Sequence, residues 1–188
     1  MILHFIFVVK EEDREKRQFE FQYIQKMSKF YGKWLKEKFG KDFEIQCDEM
    51  ITKPRSILQK LDTHVLLRDH EQRGKEIYHF YLTHFKPFWT DCTCEGYHAE
   101  NFGMIFWQPL KESHDTLFLA EKNCTTVSHE LLHEMLRITG HKKFLQEVHD
   151  VWTKHLFEQL EFEQYDENFQ KTDDKPFFLT MDTSQLNL

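Results

Sequence analysis

The residues best suited to chemistry lie together in Thr126-Val127-Ser128-His129-Glu130-Leu131-Leu132-His133-Glu134-Met135. His129 and His133 are four apart, so on a helix their imidazoles project one above the other from a single face. Two imidazoles placed in this way can share one Zn²⁺ at about 2.0–2.1 Å per nitrogen. Glu130, next to the first histidine, projects about 100° away around the helix and can reach a water on the metal without being a ligand. The surrounding residues signal the helix independently. Val127, Leu131, Leu132, Met135, Leu136 and Ile138 supply an apolar side, Arg137 stands in the last turn, and Gly140 follows as a natural stop.

The segment His129-Glu130-Leu131-Leu132-His133 resembles the HExxH motif of the zincin superfamily of zinc metallopeptidases. The resemblance implies that His129 and His133 are ligands of one Zn²⁺, that Glu130 is the general base, and that the substrate is a polypeptide or peptide. It also implies a twisted sheet packed on an active-site helix, with substrate bound along an edge strand; residues 102–107 stand where such a strand could lie. Val127, Leu131 and Leu132 keep the uncharged surroundings of the family pattern, whereas Glu134 departs from them. In such a site the metal lowers the pKa of a water to about 7, and Glu130 takes its proton and then passes it to the leaving amine. His155, Tyr165 and Tyr97 are each available to assist the oxyanion, and nothing in the sequence selects among them.

The third ligand follows less directly. Metzincins extend the motif to HExxHxxGxxH, but Leu136 and Thr139 occupy those positions here, and His141 comes two residues later, just past Gly140. In gluzincins a following helix supplies the ligand, and the layout is closer to theirs. If Gly140 and His141 form the tight turn of a helical hairpin, His133 faces Val148 and His149. On that second helix Leu145, Val148, Trp152 and Leu156 form the apolar stripe, His149 borders it, and Glu147 and Asp150 point away. His149 is therefore the expected third ligand, with His141 the alternative. Met181 invites comparison with the metzincin Met-turn, but the failed spacing argues against it. Cys92-x-Cys94 followed by His98 reads as a plain loop rather than a second metal site, because it lacks a matching partner cluster. The competing function is a non-catalytic zinc-binding or interaction module in which a fourth ligand, such as His141 beside His149, closes the site. An intact Glu130 favours the enzyme.

The elements that must position these residues give an α+β fold, a sheet first and helices after it. Residues 2–9 read as a buried strand, and 12–39 as a helix with the stripe Phe19, Tyr23, Met27, Phe30, Trp34 and Leu35, stopped by Gly40. Strands follow at 43–51 and 76–85, a short helix at 56–67, a loop at 86–98, and strands at 102–107 and 116–120. Helices at 126–139 and 142–160 come next. The whole is one domain, 1–188, with a sheet-rich part (1–125), a helical hairpin holding the metal site (126–160) and a C-terminal tail (161–188). Pro176-Phe177-Phe178-Leu179 in that tail is apolar enough to dock on the core.

Composition bounds the rest. The 188 residues, 40% hydrophobic with 19 Phe, can bury a core without disulfides. Six Gly and four Pro exclude collagen-like and low-complexity sequence. A net charge of −7 argues against nucleic-acid or anionic-membrane partners, which need clustered Lys and Arg. Cys47, Cys92, Cys94 and Cys124 are too few and too irregularly spaced for a disulfide scaffold. The opening apolar run lacks a basic n-region and is too short to span a bilayer, so a cytoplasmic location is expected.

Overall fold

The computed structural model describes residues 1–52, 77–84, 96–98, 102–110, 116–138, 162–165, 169–171 and 177–181. It is a mixed α/β structure in two compact units, Met1–Pro109 and Leu110–Leu188. The first unit is built on a five-stranded sheet: β1 (Ile2–Lys10), β2 (Glu44–Thr52), β3 (Ile77–Thr83), β4 (Gly96–His98) and β5 (Phe102–Phe106), in the order β2-β1-β3-β5-β4. Four of these strands run parallel, while β4 lies antiparallel on β5. β1 pairs with β2 on one side and β3 on the other, and from Leu3 to Val9 it is buried on both faces. A parallel interior strand needs that near-continuous apolar run, and Ile2 to Val9 supplies it.

Between β1 and β2 the chain makes two short 3₁₀ turns, Glu11–Asp13 and Glu15–Arg17, and then helix α1 (Gln18–Phe39). Gly40 ends α1 with φ 62°, and its N–H donates to the Lys36 carbonyl at 3.0 Å. Only glycine adopts that left-handed conformation without strain. The helix buries Glu20, Ile24, Met27, Ser28, Tyr31, Trp34 and Leu35, whereas Phe19, Tyr23 and Phe30 are only half-buried. The buried stripe is thus turned by about one residue from the expected one, and it has a carboxylate at its upper end. Ring contacts bind helix to sheet: Phe5 stacks on Tyr31 (centroids 6.4 Å) and Phe7 on Phe21 (6.4 Å). The other row of sheet residues forms its own cluster of Ile6, Val8, Tyr81, Phe102, Met104 and Phe106, with Met50 at its margin.

Three expectations are corrected. Residues 102–107 are no edge strand, because β5 is paired on both sides, by β3 and by β4. The outer strand there is β4, three residues within the segment expected to be a loop. Residues 116–120 form the first turns of a helix, α2 (Thr116–Ile138), rather than a strand. Leu117-Phe118-Leu119-Ala120 is a short apolar run, which periodicity alone cannot divide between strand and buried helix. No Gly or Pro intervenes before Ile138, so the helix runs through. In this second unit α2 lies against β7 (Phe177–Met181), and β7 pairs antiparallel with β6 (Phe162–Tyr165). The expected helices at 56–67 and 142–160 lie outside the described residues. Among the described residues no helix is long and apolar enough to cross a membrane.

Candidate metal centre

From Val127 to Met135 every residue of α2 is buried. Helices buried on all sides are normally apolar throughout, but this stretch includes His129, Glu130, His133 and Glu134, all 7% exposed or less. Cys124, Val127, Leu131, Leu132 and Met135 provide the apolar packing that holds the helix in place. Withdrawing an ionisable group from water costs several kcal/mol unless it is paired or neutralised. Four such groups within six residues therefore call for an account of each.

The two histidines meet. Nε2 of His133 and Nε2 of His129 are 3.0 Å apart, with ring centroids 4.6 Å apart and ring planes at 84°. At that separation both nitrogens cannot carry a proton on the shared line, so one donates and the other accepts. The same pair fits a metal ion, because two nitrogen ligands on one tetrahedral zinc lie about 3.3 Å apart. Opening the pair by a few tenths of an ångström would admit the ion. Imidazole nitrogen is a good donor for zinc, and the i, i+4 placement on a rigid helix supplies the alignment.

The two glutamates differ. Glu134, the residue that departs from the uncharged family pattern, is 1% exposed and is held by Arg137 one turn later. Arg137 Nε donates to Oε2 at 2.7 Å and Nη2 to Oε1 at 2.6 Å, a two-pronged pair that neutralises the charge beside His133. Among the described residues, Glu130 has no hydrogen-bond or ion-pair partner. Burial alone pushes its carboxyl up to about 8, as expected when a charge loses water and gains no partner. A dication beside it would act in the opposite direction.

The remaining expected site residues are distributed as follows. His141, His149 and His155, and the cysteines Cys92 and Cys94, lie outside the described residues. His98 ends β4, half-buried, with its ring stacked on Tyr78 at 6.1 Å. Tyr97 lies in β4, Tyr165 ends β6 and Met181 ends β7. Cys124 is buried and in no disulfide. Among the described residues no three His, Cys, Asp or Glu side chains form a group able to hold a metal ion. The described site is therefore two nitrogen donors and one carboxylate.

The first unit holds a second polar cluster that sequence reasoning missed. Glu20, 1% exposed, accepts hydrogen bonds from Arg17 Nη1 and, at 2.7 Å, from the Trp107 indole Nε1. His84 Nε2 lies 3.8 Å from Glu20 Oε2. The available signal was spacing: Glu20, Ile24, Met27, Tyr31 and Trp34 are separated by fours and threes, so the carboxylate occupies a core position of the helix.

No family model matches this sequence, and no curated protein or solved structure is found similar to it.

Proposed function

We propose that the chain is a zinc-dependent peptidase in which His129 and His133 hold the metal and Glu130 moves the proton. The observation that carries this reading is Glu130, a buried carboxyl with no partner among the described residues, one residue from an imidazole pair whose Nε2 atoms converge. A helix kept only for stability would gain from an apolar residue at each of these positions. Zinc, when bound, would lower the pKa of a water to about 7 and polarise the scissile carbonyl. Glu130 then accepts the proton of the attacking water and delivers it to the leaving amine. The Glu134–Arg137 pair removes a competing charge next to His133, leaving the two imidazoles as the ligands offered by α2. His149, or else His141, completes the set. The substrate is a peptide or an unfolded polypeptide.

The test is Glu130→Gln, which keeps size and hydrogen bonding but removes the base. The variant should retain zinc and lose 10²–10⁴-fold or more of chelator-sensitive cleavage of a peptide library, roughly the worth of general-base catalysis. If zinc-loaded wild type cuts no peptide and its metal is closed by four protein ligands, the non-catalytic zinc module takes the place of the enzyme.

A further inference from the structure

The cluster at the start of α1 contains a largely buried histidine that its structural role does not require. His84 follows β3, and its side chain is 10% exposed. Four other elements face it. Arg17 and Asp13 come from the turns before α1, Glu20 from α1, Phe7 from β1 through an edge-on ring contact at 5.6 Å, and Trp107 through its backbone just after β5. Trp107 is anchored twice: its backbone N–H donates to the Thr83 carbonyl at 2.8 Å, and its indole donates to Glu20 at 2.7 Å. The indole bond therefore ties the first turn of α1 to the end of β5. It is also the bond that His84 is placed to contest.

The geometry sets up the competition. Arg17 holds Oε1 of Glu20, and Oε2 lies 2.7 Å from the indole and 3.8 Å from His84 Nε2. An N⁺–H···O⁻ bond needs about 2.7–2.9 Å, so Oε2 must move about 1 Å toward β3 to meet a protonated imidazole. That movement draws it off Trp107. We propose that His84 is an acid-operated release for α1: the proton it takes from solvent turns it into a cation that captures Glu20, and the buried Glu20–Trp107 bond gives way. Neutral His84 leaves the bond intact. Burial, reinforced by the Arg17 guanidinium and only partly opposed by the Trp107 backbone and Asp13, holds the His84 imidazole down to about 4. The latch stays shut at neutral pH and opens only in acid. It is independent of the metal-centre reading, since it lies wholly within Met1–Pro109.

The experiment is proton–nitrogen NMR on the full chain, following the Trp107 indole N–H (identified with Trp107→Phe among the four tryptophans) and the His84 ring during acid titration. The latch predicts that both resonances move in one step, with a midpoint well below the ordinary histidine value of about 6.5. Exchange protection of the indole should fall at least tenfold across that step, while β1 and β3 amides stay protected. His84→Gln should hold the indole at its neutral-pH position throughout. Three results overturn the proposal: an indole that does not respond when His84 titrates, a step that survives in His84→Gln, or an indole change that coincides with loss of the β1 and β3 amides. If His84→Gln fails to fold, the paired titration in wild type decides alone.

Discussion

Glu20 on α1 and Glu130 on α2 are both buried glutamates on long helices, 1% and 5% exposed, but their surroundings differ. Glu20 accepts from a guanidinium and an indole, so its charge is used to join elements. Glu130, next in the chain to His129, has no bonding partner among the described residues, and burial raises its pKa to about 8. From the ordinary 4.5, that shift corresponds to about 5 kcal/mol of unfavourable burial for the charged form. Glu134, one residue after His133, resembles Glu20 in having its own arginine. Of these three buried glutamates, two are neutralised within a turn of helix and one is not. The two carboxylates with arginines join parts of the fold, whereas burial of Glu130 costs stability, which is why the proposed function rests on it.

Four measurements can break or sharpen this contrast. The largest effect is expected from His129→Ala combined with His133→Ala. It should reduce zinc from about one ion per chain to none by elemental analysis, with affinity falling by orders of magnitude, whereas Glu20→Ala should leave the zinc content unchanged. Full zinc in the double variant would move the metal elsewhere, with the Cys92/Cys94 segment the first suspect. Next, Glu20→Ala strands the Arg17 guanidinium and the Trp107 indole, and should cost about 3 kcal/mol in urea denaturation. A loss below 1 kcal/mol would show that these bonds do not hold the elements together.

The third measurement is acid stability. Folded His84 titrates at about 4 and an unfolded histidine at 6.5, so below pH 6.5 the unfolded chain binds the proton first. The contribution of neutral His84 is therefore complete above 6.5 and is lost as pH falls toward 4, by about 3 kcal/mol in all. His84→Phe should flatten that window in a pH series of denaturant melts. The smallest effect is the most diagnostic: Glu130→Gln, measured on zinc-free protein near neutral pH, should be neutral or stabilising, because burial that raises Glu130 from 4.5 to about 8 makes the wild-type carboxyl take up a proton on folding and glutamine need not. Substantial destabilisation would mean that Glu130 supports the fold after all, like Glu20.

The sequence disclosed the elements with a single clear period. β1, β2, β3 and β5 appear close to their expected bounds, since β-branched and aromatic runs between breakers have few other outcomes. α1 was legible as a helix, but its buried face was not. The wealth of aromatics made Phe19, Tyr23 and Phe30 look like the stripe, whereas tertiary packing chose Ile24, Tyr31 and a glutamate. The false strand at 116–120 and the hidden β4 share one cause: segments of three to five residues carry too little periodicity to outweigh the pairing that the rest of the chain imposes. In α2 the i, i+4 histidines were legible because helix geometry fixes their neighbourhood. The Arg137 clamp on Glu134 obeys the same local rule and was open to the same reasoning. The Arg17–Glu20–Trp107–His84 cluster was not, because it joins residues 87 positions apart in the chain.

The place of β1 has a consequence for how the protein is made. Its neighbour β3 pairs Ile77 opposite Ile2, so the most apolar segment of the sheet leaves the ribosome well before its second neighbour exists. At bacterial-to-eukaryotic elongation rates of about 5–20 residues per second, that interval is on the order of 4–15 s. Until β3 arrives, at least one edge of β1 is an uncovered template for other chains. Parallel pairing across such separations is also intrinsically slow. Synthesis speed through residues 10–83, and the availability of chaperones that shield extended apolar segments, should therefore govern the yield of native protein more than the stability of the finished fold does.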